Sequence, residues 1–534
     1  MVSNPMSSFA TVQRPILAQI VNLRPRLDRW IIWILHGRLY WASLMSLPWI
    51  ASAIYVARHR MNGDVAWYLY AAQRLREGAR LYRDIDDMNM PLTYYIGTPF
   101  VALGGLLKIS PSVPLYCAVW LFLAVALLGL YRVLRTLGSM NRLMAQLFVL
   151  MVAAVVLGTH CYDFGQRDQY VGIGFLVLLQ QLYARIHGRP VARHVMLALT
   201  GVVIAIKPFF LLPWLLMLLW TARRISVKAV VRSPEFWVVA GISACLGIAT
   251  LLFTDFVVMA AVATQYYKAY DASIWSIVSN LRWVFVIVLV AIVWRPSEKL
   301  LDLVRLSALA AAGFAIEVIA QHKSYSYHHL PAEFWAYITG AVLFIDLLQR
   351  ASVFRRICTL SPNKVVLAVS LAGGILPFAR AMAAREQPSK VMNFVRQHAT
   401  GKLILPLSTN LWTAFPVILE ANARNALPSP ELWTVPGLYR DQIVGADAPR
   451  APHYHSRSEM NEQERRMFDC VVQAMVEKRP AILLVQPASG GQGLGHLTFD
   501  FLKYFSTDER FRAALADYAT GPSDAGHEVY WRRQ

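Results

Sequence analysis

Leu92-Thr-Tyr-Tyr-Ile-Gly-Thr-Pro-Phe-Val-Ala-Leu-Gly-Gly-Leu-Leu107 is the stretch on which the fold turns. It is apolar, but it is shorter than the ~20 residues a membrane-spanning helix needs. If it crossed a bilayer, the basic loops around Arg132, Arg135 and Arg142 and from Arg185 to Arg193 would face outward, and Asp163 and Asp168 would face the cytoplasm. If it lies in the interface or re-enters, all of these reverse. The basic loops at 132–142, 185–193, 223–232, 295–305 and 350–364 then fall on one side, as the positive-inside rule requires. We therefore read Leu92–Leu107 as interfacial.

Working outward, apolar runs predict spans near Leu39–Ala57, Pro114–Leu134, Leu143–Thr159, Tyr170–Ile186, Phe236–Thr254, Ile277–Trp294, Leu303–Ala320, Pro331–Leu348 and Val365–Ala379. Val195–Thr221 is broken by Lys207-Pro208 and Pro213, and reads as a tight hairpin of two short helices, because proline removes a backbone donor and bends a helix. The expected fold is a multi-span α-helical membrane protein of about 11 transmembrane helices. Residues 1–37 are expected as a cytoplasmic segment with a short interfacial helix around Trp30–Leu35. Residues 38–379 form the transmembrane domain, with 58–113 as an outer juxtamembrane loop. Residues 380–534 lose the spanning runs and gain Pro, Gly, Asn, Asp and Glu. Strands are expected at Lys402–Leu407, Ala481–Gln486 and Glu528–Arg532, and helices at Glu462–Glu477 and Thr498–Tyr504. This predicts a small α/β extramembrane domain, periplasmic or extracellular.

Composition agrees. Of 534 residues, 56% are hydrophobic and only 16% charged, the balance of a membrane chain rather than a soluble one. The net charge of +20 sits mainly in short loops between apolar spans, which argues for orientation in a bilayer and against nucleic-acid binding. The five cysteines, Cys117, Cys161, Cys245, Cys358 and Cys470, form no CxxC pair and show no metal spacing.

Three polar loops are expected on the outer side. The first holds Asp64, followed by an amphipathic stretch with Trp67 and Tyr68 on one face, and runs on to Asp84, Asp86, Asp87 and Asn89-Met-Pro91. Asp64 reads either as a helix N-cap or as a base at the water–lipid boundary. The three aspartates read as a solvated loop, with a weak divalent-cation site as the alternative. The second loop carries Asp163, Arg167 and Asp168. It offers carboxylates for acid–base work and an arginine whose planar fork suits phosphate. The third, Gln321 to Pro331, packs Lys323, Tyr327, His328 and His329 into a cluster able to hold phosphate and hydrogen-bond a sugar. Lys207, inside the broken hairpin, is a further phosphate ligand candidate. Tyr266, Tyr267, Tyr270 and Trp275 read as an interfacial aromatic belt, with sugar stacking as the alternative. Gly490-Gly-Gln-Gly-Leu-Gly495 does not match the GxGxxG spacing and is expected as a flexible loop.

The order of these features resembles the GT-C superfamily of membrane glycosyltransferases, in particular the bacterial relatives of protein mannosyltransferases and aminoarabinose transferases. The features are Asp64 after the first span, the juxtamembrane stretch to Asn89-Met-Pro91-Leu-Thr-Tyr-Tyr, the second acidic loop, the Lys207-Pro208 break and the outer C-terminal domain. Met90-Pro91 departs from the paired prolines or Lys-Pro of that turn. The resemblance implies an inverting transfer of one sugar from a polyprenyl-phosphate donor, with Asp64 as general base. The acceptor would be a glycan, lipid or protein hydroxyl on the outer face of a bacterial inner membrane. It leaves the phosphate to Lys207, Arg167 or Lys323, and requires no cofactor beyond a divalent cation at most. Rival readings are a flippase for a lipid-linked sugar, an oligosaccharide polymerase or ligase, and a scaffold presenting the C-terminal domain.

Overall fold

The computed structural model describes residues 38–191, 194–350, 379, 390–444, 448–489, 491–524 and 526–533. The expected segment 1–37, and all but the last residue of the run Val365–Ala379, lie outside the described residues. The chain is mostly helical, with a small sheet near its end.

Among the described residues, four helices are long and apolar enough to cross a membrane: Ser112–Thr136, Pro234–Leu252, Glu298–Gln321 and Ser326–Arg350. Ile274–Asn280 and Arg282–Val293, bent by 63° at Leu281, make a fifth if counted as one span. The expectation of about 11 spans is therefore not supported: the described residues hold four or five helices that meet the length and composition of a span. Length and polarity account for the difference. Arg142–Gly158 has 17 residues, and His194–Ile204 and Leu211–Arg224 have 11 and 14. At 1.5 Å rise these fall short of a ~30 Å hydrocarbon core. Arg167–Ile186 is 20 residues long but carries Arg167, Asp168, Gln169, Gln180, Gln181 and Arg185. It is buried almost all round, at the centre of the bundle, where other helices rather than lipid surround it. Leu92–Leu107 is a short apolar element broken at Ile96-Gly97. Outward-facing Trp237, Leu251, Leu252, Trp283, Leu289 and Val293 present an exposed apolar surface, consistent with a membrane protein.

Small residues let the helices close up. A Cβ on Gly172 would lie 1.7 Å from Phe334 Cζ, and one on Gly313 would lie 2.4 Å from Pro213 Cα. The second contact seats the broken hairpin against Glu298–Gln321, which fixes where Lys207-Pro208 falls.

The sheet has five strands: β1 (Leu403–Leu407), β2 (Arg424–Asn425), β3 (Ile482–Val485), β4 (Tyr518–Thr520) and β5 (Glu528–Arg532). Their order is β2-β1-β3-β5-β4, with β1 parallel to β2 and β3, and β5 antiparallel to β3 and β4. The runs Leu-Ile-Leu-Pro-Leu and Ile-Leu-Leu-Val are apolar throughout because both faces are covered. Leu405, Leu407, Leu483 and Val485 face a core of the sheet unit itself, closed by Phe468, Tyr504 and Phe505. Ile404, Ile482, Leu484 and Val529 belong to the core that continues into the helical body through Phe415 and Trp67. The two-residue period of a strand thus splits one sheet between two cores. Three expected strands and the helix Glu462–Glu477 form within a residue or two of expectation. The short β2 and β4 carry too few apolar residues to be legible.

Docking is close. A Cβ on Gly63 would sit 3.0 Å from the Phe415 carbonyl and 3.3 Å from the Trp412 ring. Tyr162 stacks on Trp412 at 4.9 Å, the Tyr70 hydroxyl accepts from the Asn425 amide at 2.8 Å, and the Asp86 amide donates to Pro428 at 3.0 Å. The sheet unit is thereby held on the helix Gly63–Arg76.

Candidate functional site

A cavity of about 620 Å³ lies between the helical body and the sheet unit. Asp64, Arg167, Lys207, Lys323, Tyr327 and His328 all line it. Five separate segments deliver them: the start of Gly63–Arg76, the start of Arg167–Ile186, the hairpin break, the loop after Gln321 and the start of Ser326–Arg350.

Asn62, not Asp64, caps the first of these helices. Its Oδ1 accepts from the amides of Asp64 (2.9 Å) and Val65 (3.3 Å). Asp64 is left free of capping duty, in the first turn. Its Oδ2 accepts from Gln166 Nε2 at 2.8 Å, and the same nitrogen reaches Asn62 Oδ1 at 2.8 Å. Burial pushes the Asp64 carboxyl up to about 6, against the pull of the Arg167 charge. A carboxyl shifted toward neutrality in a cleft is suited to proton transfer.

The cations are fixed by groups of their own. Asp168 is wholly buried and does not line the cavity. Its Oδ1 lies 3.1 Å from Lys207 Nζ and its Oδ2 lies 3.3 Å from Arg167 Nε. Expected as a catalytic residue, Asp168 is placed behind the cavity wall with both of its oxygens beside cations. Arg167 also donates through Nη1 to Asn89 Oδ1, and its guanidinium lies 5.2 Å from the Tyr68 ring centre. Asn89 is oriented by Asp87, whose Oδ1 accepts from Asn89 Nδ2 at 3.0 Å and whose other oxygen accepts from Trp67 Nε1. Lys323 donates to the Tyr267 carbonyl at 3.0 Å, pairs with Asp271, and lies 4.2 Å from the Tyr267 ring centre. Burial lowers its pKa, and Asp271 opposes the shift.

The remaining expected residues divide. Tyr327 faces both cations, 5.9 Å from Arg167 and 5.9 Å from Lys207. His328 is buried, and its Nδ1 has no hydrogen-bond partner among the described residues. His329, expected as a substrate contact, is not among the residues lining the cavity, and its Nε2 lies 3.4 Å from Ser324 Oγ. Asp163 lies in an adjoining cavity that it shares with Asp64, where Asn62 Nδ2 donates to it at 2.9 Å and burial pushes its carboxyl up to about 6.

The three aspartates of the first loop part company. Asp84 Oδ2 accepts from the Arg80 amide at 2.8 Å, Asp86 faces a separate cavity with Arg466, and Asp87 serves Asn89. They do not converge on one cation site, the alternative to the expected solvated loop. Among the described residues no group of three or more His, Cys, Asp or Glu is arranged to hold a metal. Tyr267 lines the main cavity, so the aromatic group after Thr254–Tyr266 reaches further inward than a belt would. Gly491–Gly495 is a turn in which Gly493, at φ +75°, packs against Tyr270 and Pro436.

Sequence reasoning missed the sheet unit's share of the site. Leu411, Glu431 and Trp433 line the main cavity. Burial holds the Glu431 carboxyl well above its usual range. Its setting, Pro428-Ser-Pro-Glu431, carries no local signal. Asn89 lies in the first polar loop and Gln166 beside Arg167 in the second, where charged neighbours carry the stronger signal.

The fold and site define a helical body with membrane-type apolar helices, roofed by a small mixed sheet, around a cavity lined by the carboxyl groups of Asp64, Asp87, Asp271 and Glu431 and by Arg167, Lys207, Lys268 and Lys323. No protein-family model matches the chain, and no curated protein matches its sequence.

Proposed function

We propose that the protein is a membrane glycosyltransferase that takes a sugar from a polyprenyl-phosphate carrier and passes it to an acceptor hydroxyl. The observation that carries this reading is the sharing of one cavity by Asp64 and by Arg167, Lys207 and Lys323. A lipid-phosphate donor needs cations at its phosphate and an apolar flank for its chain. Its acceptor needs a base. In this reading Asp64 takes the proton of the acceptor hydroxyl as the oxygen bonds to the anomeric carbon. The bond from that carbon to the phosphate oxygen breaks, and the electron pair stays on the phosphate. Charge gathering there is met by the three cations, already oriented by Asp168, Asn89 and Asp271. A single displacement of this kind inverts the anomeric centre. The apolar faces of the hairpin and of Thr254–Tyr266 suit the lipid chain. The sheet unit would lie on the outer face of a bacterial inner membrane, where the acceptor arrives.

The test is turnover of a polyprenyl-phosphate sugar by the purified protein in lipid nanodiscs. Asp64→Asn keeps the shape and the bond from Gln166 but removes the base. A loss of about 10²–10⁴-fold in kcat is expected, the range that general-base catalysis contributes. Full turnover in the variant would refute the assignment. Vesicles that move the lipid-linked sugar across the bilayer without transferring it would favour a flippase instead.

A further inference from the structure

Beside the main cavity lies a smaller one of about 130 Å³, which shares Asp64, Tyr267, Tyr327 and Glu431 with it. We infer that this smaller cavity is the acceptor subsite, and that it is built for a carbohydrate ring. The inference rests on the transferase reading for the word acceptor, but not for the carbohydrate.

The two cavities differ in chemistry. Arg167, Lys207 and Lys323 line the larger one. None of the described residues lining the smaller one is Lys, Arg or His. Asp163 and Glu431 line it together with Asp64. An anionic acceptor, such as a phosphorylated headgroup, would meet like charge there and is disfavoured. Two carboxylate oxygens of its lining residues are buried without a hydrogen-bond partner among the described residues. Asp163 is 1% exposed; Asn62 donates to its Oδ1, the Ser326 hydroxyl on the same wall favours its ionised form, and its Oδ2 keeps no partner of ordinary geometry among the described residues, with His160 Nδ1 3.9 Å away. Glu431 Oε2 is likewise buried and unpartnered. Buried acceptors left unmet are costly and mark places where a donor is missing. A sugar hydroxyl is such a donor, and each ring carries several.

The walls complete the match. Tyr162 stacks on Trp412 at 4.9 Å and 17°, and Tyr325 on Tyr327 at 5.8 Å and 8°, so two flat aromatic pairs line one small space. Sugar C–H groups carry slight positive charge and pack on the negative faces of such rings. Gln492 adds an amide that can both donate and accept. The volume of about 130 Å³ leaves no room for a chain of rings, and a single ring would extend from it toward the larger cavity. Both Trp412 and Glu431 belong to the sheet unit, so that unit contributes to substrate choice and does more than cover the site. Asp64, on the shared wall, faces donor and acceptor at once.

The experiment is saturation-transfer NMR on the full-length protein in nanodiscs. The probes are methyl β-glucoside, methyl α-mannoside and methyl N-acetylglucosaminide, with a Ser/Thr tetrapeptide as the contrasting acceptor. At least one glycoside is expected to take saturation on its ring protons, and the tetrapeptide none. Glu431→Gln, which keeps the shape, is expected to weaken glycoside binding by up to about tenfold, the worth of one hydrogen bond. Trp412→Ala should weaken it at least as far; if that variant fails to fold, Glu431→Gln alone carries the test. Saturation of the tetrapeptide instead, or glycoside binding indifferent to Glu431→Gln, would overturn the inference. Binding of a polyprenyl-phosphate sugar is followed in parallel. Donor bound with no glycoside bound removes the subsite and leaves the transferase reading. Glycoside bound with no donor bound or consumed removes the transferase reading and leaves a carbohydrate site.

Discussion

Replacing Asp168 separates two roles that a sequence reading cannot. As a base, Asp168 would take a proton. As the structure places it, it holds Lys207 at 3.1 Å and Arg167 at 3.3 Å with no exposure of its own. At an effective dielectric of about 20, each contact is a gross attraction of about 5 kcal/mol. Removing the shared partner leaves two buried cations, which repel one another and have lost part of their neutralisation. Breaking a buried pair this way costs about 3–5 kcal/mol. Arg167 keeps Asn89, so the lower half of that range is expected for Asp168→Asn, which retains an acceptor, and the upper half for Asp168→Ala. The first assay is thermal unfolding in detergent, where Tm should fall on the order of 5 °C for the alanine variant. The second is steady-state transfer. Misplaced cations should raise the donor KM by about tenfold, with a smaller change in kcat. The pH dependence should persist with its midpoint somewhat lower, because Asp64 remains while the Asp168 charge that helps raise it is gone. Two results would refute the reasoning: wild-type Tm and KM in both variants, or a collapse of kcat in Asp168→Asn that matches Asp64→Asn and abolishes the pH dependence.

Transfer by the wild type should rise with pH through a midpoint near 6, since a base at that value is about 9% ionised at pH 5 and about 91% at pH 7; a flat profile over pH 5–7 would remove Asp64 from the role. The same shift has a stability counterpart. A folded-state value above the ordinary 3.8 favours the fold at low pH, and that contribution is lost as pH rises through 6. Asp64→Asn should therefore show a higher Tm than wild type above pH 6, with the gap closing below about pH 4; an equal gap at both ends would contradict it. Gly63→Val puts a branched side chain where even a Cβ lies 3.0 Å from the Phe415 carbonyl. An overpacking cost of about 1–3 kcal/mol should loosen the sheet unit, read as faster proteolysis after residue 390 with the helical body intact.

Some of this was legible along the chain. Apolar runs of Leu and Val, together with the loss of such runs past residue 380, marked a helical body and a separate sheet unit. Lys402–Leu407 and Ala481–Gln486 read as strands because each is a short β-rich run bounded by turn residues. The count of spans did not follow, because a hydropathy run says nothing of what surrounds it. Arg167–Ile186 is apolar enough to suggest lipid contact, yet its partners are other helices, and its glutamines and arginines face them. Asp64, Arg167, Lys207, Lys323, Tyr327 and His328 could be picked out by type, as charge or aromatic rings beside apolar runs. Asp168 and His329 were picked out on the same grounds and turn out to serve neighbours rather than the cavity.

The sequence by itself determined the composition of the helices, the break at Lys207-Pro208 and the stock of ionisable groups, because these depend on residue type and short-range spacing. Only the tertiary structure decided which carboxylate is free. Asn62 caps the helix and releases Asp64, while Lys207 and Arg167 occupy both oxygens of Asp168. It also brought Glu431 and Trp412 across more than 340 residues of chain to face Asp64. Such meetings depend on how helices and sheet pack, and packing is a property of surfaces that distant segments make together.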